Sequence, residues 1–208
     1  SDADSAVEAL AGEDTTLGVI PDQPVEATGR PSRIGMINQD TGAVGAFPEL
    51  TRAARAAVEF VNAELGGIDG RPLELLTCDT GFSPEGSTAC AQRLVSEDVV
   101  AVTGGIDVWG TSIPVLESNG IPYIGGIPVS DAELRSPISF LFSGGSPGAF
   151  AAFAAYAVDE LGAERIALMY GDFGSIKEAA ERYGAGVAAS LGLAPEDITL
   201  VPFPVTED

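Results

Sequence analysis

Residues 99–124 read VVAVTGGIDVWGTSIPVLESNGIPYI. Val99 to Thr103 is a short, mostly β-branched apolar run, the signature of a strand buried on both faces. Gly104-Gly105 interrupts it. A short helix is then predicted from about Ser112 to Asn119, stopped by Gly120. Ile121 to Ile124 is a second strand. A strand, a helix and a strand in immediate succession make a βαβ unit, whose crossover is right-handed and whose strands run parallel.

The alternation continues on both sides. Upstream, Arg33 to Asn38 (RIGMIN) predicts a strand and Pro48 to Leu65 a helix, with Leu50, Ala54, Ala57, Val58, Val61 and Leu65 at helical spacing. Gly66-Gly67 stops that helix, and Pro72 to Cys78 (PLELLTC) is the next strand. Ser83 caps a helix that has Pro84 at its first position and runs to about Ser96. Downstream, strands are predicted at Ser139 to Phe142, Arg165 to Tyr170 and Ile198 to Phe203. The helices between them are Pro147 to Leu161 and Ser175 to Leu191, the latter weakened at Gly184 and Gly186. The fold class is therefore α/β, with doubly wound parallel sheets covered by helices. Residues 1–32 hold seven acids against one arginine and include Pro21, Pro24 and Pro31, so they read as an acidic flexible leader. Residues 33–143 form a first α/β lobe of about five strands. Residues 144–208 form a partial second lobe, since two parallel strands are too few to cover both faces of their helices.

Composition removes whole classes of function. The chain has 208 residues, 45% of them hydrophobic, and a formal net charge of −21. A nucleic acid or an anionic membrane would be repelled. No apolar run reaches the roughly 18 residues of a membrane span. No signal-peptide pattern opens the sequence, so any targeting segment is expected to precede it. Histidine is absent, which rules out imidazole-based catalysis and the commonest metal ligand. Cys78 and Cys90 cannot build a zinc site without it. They are either two thiols of a cytosolic protein or one disulfide in an oxidising compartment. Cys78 ends a strand and Cys90 lies two turns into the following helix, which predicts the bond.

Motifs suggestive of catalysis fail on chemistry. Gly105 to Ser112 resembles a phosphate loop, but Thr111 stands where the lysine is needed. Gly144-Gly145-Ser146-Pro147-Gly148 matches a nucleophile elbow, yet Ser146 has no histidine to activate it and Pro147 removes an oxyanion-hole N–H. Ser146 is expected instead to cap the helix. Asp79 and Asp107 follow strands and are either site carboxylates or turn and cap residues. No cofactor or metal is implied.

Five segments in order carry a family resemblance: the first strand with Thr41-Gly42; Ala53 to Asn62 with Gly66-Gly67-Ile68-Asp69-Gly70; Cys78-Asp79-Thr80 with Pro84; Gly120-Ile121-Pro122-Tyr123 with Ser130-Asp131-Ala132-Glu133-Leu134; and Tyr170-Gly171-Asp172-Phe173-Gly174. Together they resemble the branched-chain amino-acid-binding proteins of ABC importers, the type I periplasmic-binding-protein fold. The resemblance implies two lobes that close on a small solute, an amino acid or a related small carboxylate or amide. It implies ABC importer membrane subunits as partners, no enzymatic activity, a monomer, and an extracytoplasmic location, with a lipid anchor attached upstream. A sensing receptor ectodomain of the same fold, or an α/β enzyme, is the alternative. Phe47 looks like the aromatic of the first loop, or else a hydrophobic staple. Asp107, Val108 and Trp109 occupy a loop where the family carries small hydroxyl residues, a departure that argues against an aliphatic amino acid. Ser130 matches a hydroxyl position, or simply caps a helix. Phe173 falls where the family has tyrosine.

Overall fold

The computed structural model describes residues 23–42 and 45–205. Two compact units emerge: residues 23–32 with Ala53–Glu74, and Arg33–Arg52 with 75–205.

In the first unit, helix α1 (Pro48–Glu64) contributes its C-terminal part. The side chain of Asn62 binds the backbone of Leu73 in both directions, accepting from its N–H at 2.7 Å and donating to its carbonyl at 2.9 Å. This reciprocal pair fixes how the chain turns back through Gly66-Gly67, and it explains the asparagine ahead of that turn. Part of the acidic leader departs from the sequence expectation. The N–H groups of Val25, Ala27 and Gly29 donate to the carbonyls of Glu64, Asn62 and Gly70 at 3.1, 2.8 and 2.9 Å. Residues 25–32 therefore have partners that a flexible tail lacks, and residues 1–22 lie outside the described residues.

The second unit holds two sheets. Strands β1 (Ser32–Asn38), β2 (Leu73–Asp79), β3 (Ala101–Thr103), β4 (Tyr123–Ile124) and β5 (Ser139–Phe140) form one sheet in the order β2-β1-β3-β4-β5. β1, β3, β4 and β5 pair in parallel, with Gly35 opposite Val102 and Val102 opposite Tyr123. β6 (Ile166–Gly171) and β7 (Ile198–Phe203) pair in parallel in the second sheet. The strand over 99–103 is shorter than expected because Val100 is 61% exposed and Val99 turns into the core instead.

Helices α2 (Pro84–Ser96) and α3 (Ile113–Ser118) pack on the larger sheet. The core joins Ile37 of β1, Leu94 of α2, Val102 of β3, Leu116 of α3 and Tyr123 of β4. Burying each such side chain contributes roughly 1.5–3 kcal/mol. Ser83 caps α2 as the sequence predicts, accepting from the Gly86 N–H at 2.9 Å. Cys78 and Cys90 are bonded, with Cα atoms 5.5 Å apart, which ties the end of β2 to α2.

α4 (Asp131–Arg135) precedes β5, and α5 (Gly145–Ala155) continues into a π-helical turn over Tyr156–Glu160. Ser146 does not cap α5; Gly144 occupies that position and Ser146 lies within the first turn. The reason is the backbone, which allows the helix to begin two residues ahead of Pro147. The last long helix starts as α6 (Gly174–Ala179), widens to a π-helical turn over Ala180–Ala185, and ends as α7 (Gly186–Ser190). The widening coincides with Gly184, where a Cβ would lie 2.7 Å from Leu168 Cδ1, so a larger residue would make the Leu168 side chain shift.

Candidate functional site

The strand order places a topological switch between β1 and β3, and ligands of open α/β sheets bind in the crevice beyond such a point. Asn38, buried at the end of β1, organises that crevice. Its Nδ2 donates to Asp40 Oδ1 at 2.7 Å, to the Phe47 carbonyl at 2.9 Å and to Thr51 Oγ1 at 3.2 Å. Its Oδ1 accepts from the Ile106 N–H at 3.0 Å. One side chain thus joins the loop after β1 to the loop after β3. Asp79, at the end of β2, accepts from the N–H groups of Asp40, Thr41 and Gly81 and from the Thr41 hydroxyl. Partial burial pushes its carboxyl upward, but these hydrogen bonds prevail and hold it below its ordinary range. Asp79 is therefore a loop organiser rather than a reactive carboxylate.

A cavity of about 360 Å³ opens where the loops of both sheets converge. Gln39 and Phe47 reach it from β1, Phe82 from β2, Ile106 and Val108 from β3, and Ile127 and Val129 from β4. Ser146, Gly171, Phe173, Ile176, Phe203 and Val205 line the other side. Three aromatic rings crowd one end. The Phe82 centroid lies 5.7 Å from Trp109 and 5.6 Å from Phe173, and the latter two are 6.1 Å apart. Such tilted and edge-on pairs each contribute about 0.5–1.5 kcal/mol beyond area burial.

Of the residues expected from the sequence, Phe47, Val108 and Phe173 line this cavity. Trp109 supports it through the aromatic cluster without lining it, and its indole N–H is buried with no partner among the described residues. Asp107 does not face the cavity. It is 0% exposed, and its carboxylate is occupied by the hydroxyls of Ser87 and Ser112 and the backbone N–H of Trp109. Ser130 also points elsewhere. It caps α4, accepting from the Glu133 N–H at 3.3 Å, while Glu133 reaches back to the Ser130 N–H at 2.9 Å. Here the reciprocal cap displaces the ligand role. Gly110, at φ +63°, lets Ser130 into that position, since a Cβ there would fall 2.0 Å from Ser130 Oγ.

Glu133 is fully buried, and its carboxylate also accepts from the Val129 N–H at 2.8 Å and the Tyr123 hydroxyl at 3.3 Å. Burial raises its pKa most; backbone hydrogen bonds from Ser130 and Val129 oppose this, the nearby Asp107 adds to it, and the result is about 7. The two sheets' elements also meet directly. Ser175 donates to the Val108 carbonyl, and Asp131 receives Arg182 at 2.6 Å and Tyr183 on one side, with Arg135 at 2.8 Å on the other. Partial burial pushes the Asp131 carboxyl up, but hydrogen bonds from Tyr183, Arg135 and Arg182 outweigh it and hold the pKa at about 2. Among the described residues, no group of three or more acidic, cysteine or histidine side chains could hold a metal ion. No helix among them is long and apolar enough to cross a membrane.

Gln39, Phe82, Ile127, Val129 and Ile176 were not singled out from the sequence. Their positions after successive strands are the signal that could have found them, and their side-chain directions were not readable.

A cavity at the carboxyl ends of two parallel sheets is the architecture of a type I solute-binding protein. The chain belongs to the periplasmic binding protein family, whose profile matches residues 31–207. An amino acid binding protein of Pseudomonas aeruginosa is 35% identical over 85 residues, covering 40% of this chain and 22% of the relative. A possible leucine/isoleucine/valine-binding protein from Rhodopirellula baltica has a similar fold, with TM-score 0.71 and 18% identity, over 89% of this chain and 51% of that one. So does a fatty acid ABC transporter substrate-binding protein from Thermomonospora curvata, at 0.68 and 20%, over 90% and 48%. A solute-binding protein from Rhodopseudomonas palustris, in complex with 3,4-dihydroxy benzoic acid, aligns at 0.64 and 18%, over 84% and 47%. The chain spans about half the length of these solved structures. The family and these relatives are solute-binding proteins, not enzymes.

Proposed function

We propose that this protein binds a small solute in the cavity between its two sheets and presents it to the membrane subunits of an ABC importer. The observation that carries this reading is the convergence of loops from both sheets on one cavity at the strand ends. Within it, residues 33–143 and 144–208 act as two lobes of a monomer, and residues 47, 108 and 173 touch the solute. The family is extracytoplasmic, and the Cys78–Cys90 bond supports an oxidising compartment for this member, where a lipid anchor would keep it near its importer. The net charge of −21 gives no footing for nucleic acid.

The test is a thermal-shift screen against amino acids, amides, short-chain acids and aromatic acids. A ligand at about 100 times its Kd stabilises by about 2.7 kcal/mol, which raises the Tm of a domain this size by roughly 5–11 °C. If no compound of any class moves the Tm, the solute-binding reading is refuted.

A further inference from the structure

We propose that Glu133 is a proton-operated latch: while its carboxyl carries a proton, residues 128–131 stay docked on the far side of the cavity, and when the proton leaves they release more readily. This goes beyond the solute-binding reading, and its test needs no solute.

Residues 128–131 bridge the elements of the two sheets. At one end the Pro128 carbonyl accepts from the Ser146 N–H of α5 at 3.0 Å. At the other end the Asp131 carboxylate receives Arg182 at 2.6 Å and the Tyr183 hydroxyl. Val129, between them, lines the cavity. One atom holds the middle of this bridge. Glu133 Oε2 accepts from the Val129 N–H at 2.8 Å, the Ser130 N–H at 2.9 Å and the Ser130 hydroxyl at 3.0 Å. Displacing that oxygen frees the backbone that carries both docking points.

The oxygen belongs to a carboxyl with no cation to balance it. Glu133 and Asp107 are both 0% exposed, and no arginine or lysine pairs with either among the described residues. Tyr123 of β4 meets Glu133 Oε1 at 3.3 Å, and Asp107, from the loop after β3, is a second buried carboxyl that disfavours a charge there. The other charged groups on and around α4 are engaged elsewhere. Arg135 binds Asp131, Glu117 of α3 receives the Ser136 hydroxyl at 2.6 Å, Lys177 of α6 pairs with Glu181 at 3.9 Å, and Glu178 pairs with Arg182 at 3.7 Å. An ionised carboxylate sealed in such a site costs free energy that is recovered when water reaches it, whereas a protonated one carries no such cost.

The change of state falls near neutrality. Burial raises the Glu133 pKa most, hydrogen bonds from the Ser130 and Val129 N–H groups oppose it, Asp107 adds to it, and the value reached is about 7. Once released into water, the carboxyl returns toward its ordinary 4.5. The docked form therefore binds the proton more tightly. Release is favoured as the pH rises from 4.5 to 7, by up to about tenfold per pH unit, and levels off above 7.

Hydrogen–deuterium exchange on the full chain, wild type and Glu133→Gln, tests this between pH 5 and 8. Dividing the wild-type rate by that of the variant at each pH removes the intrinsic pH dependence of exchange. For residues 127–136 the ratio should rise by roughly 10- to 70-fold across this range, the upper figure for full rehydration of the carboxyl. It should rise with it for residues 178–186 and stay constant for residues 56–64 of α1. In an Asp131→Asn background the rise should persist at 127–136 and shrink at 178–186, because the tie between them is cut. A flat ratio at 127–136 would overturn the latch. A rise there with none at 178–186 would overturn its connection to the far side. An equal rise at 56–64 would mean global unfolding and would overturn it too. If Glu133→Gln does not fold, carbon-13 NMR of wild type labelled at the glutamate carboxyls decides: one glutamate should titrate near pH 7, and a full set titrating below about 5.5 would overturn the proposal.

Discussion

Replacing Glu133 with glutamine should flatten the stability of this protein between pH 4.5 and 8. The carboxyl lies buried among Tyr123, Ser130, Val129 and Asp107, and its pKa is raised from 4.5 to about 7. Between those values the folded state keeps a proton that the unfolded chain has released. Raising the pH therefore favours unfolding: the contribution is fully present below about pH 4.5 and is lost as the pH passes 7. A shift of that size corresponds to about 3 kcal/mol. At 2–4 °C per kcal/mol, the wild-type Tm should fall by roughly 6–12 °C more than that of Glu133→Gln over this range. No imidazole interferes, because the chain has no histidine. The glutamine keeps an oxygen to accept from the Val129 and Ser130 N–H groups, so the variant should fold. Differential scanning calorimetry at half-unit steps of pH makes the measurement. Parallel curves for the two proteins would refute the assignment of the buried proton to Glu133.

Four further outcomes follow from the packing. Reducing Cys78–Cys90, or replacing both with alanine, opens a loop with a sequence separation of 12. This should cost about 3 kcal/mol and lower the Tm by roughly 6–12 °C, and an unchanged Tm would show that the bond constrains nothing. Gly110→Ala should cost at least about 2 kcal/mol in urea melts, through its positive φ and the loss of the Ser130 cap. Gly148→Ala, with no atom within 4 Å of its Cβ, should be neutral or slightly stabilising in the same melts. Asp131→Asn should lose about 1 kcal/mol at low ionic strength and less at 1 M salt, since its arginine partners are largely exposed. The native contribution of Asp131 is present above pH 3.8 and disappears as the pH falls toward 2, so the variant and wild type should converge in acid.

The fold was legible where a local signal and the tertiary environment agreed. The buried strand at Arg33, the half-exposed strand at Ile198 and the Ser83-Pro84 helix start are all of this kind. Gly184 and Gly186 marked a weak point in the last helix, and the structure resolves that weakness as a π-helical turn. α1 was legible as a helix but not in its packing: Ala57 is exposed, and the one fully buried residue is Thr51, which donates to Asp40. The site was legible only as a set of loops. Ser130 and Asp107 stand in those loops, yet each is consumed by neighbours. For Ser130 the local pattern was present, since Ser130 and Glu133 have the spacing of a capping box; for Asp107 no local pattern announced its serine partners. Gln39 was invisible for the converse reason, because its place on the cavity wall exists only once the loop after β1 has folded around Gly45.

Asp131 is gripped from two directions, by Arg135 of its own helix and by Arg182 and Tyr183 of the other side. Parting the two sides would not strand a bare charge. The carboxylate would keep its helical neighbour, and Arg182 would keep Glu178, 3.7 Å away on its own helix. The movement is then an exchange of partners rather than a rupture. A contact built this way can hold the two sides together and still be undone thermally, the reversibility that the proposed capture and release of a solute would require.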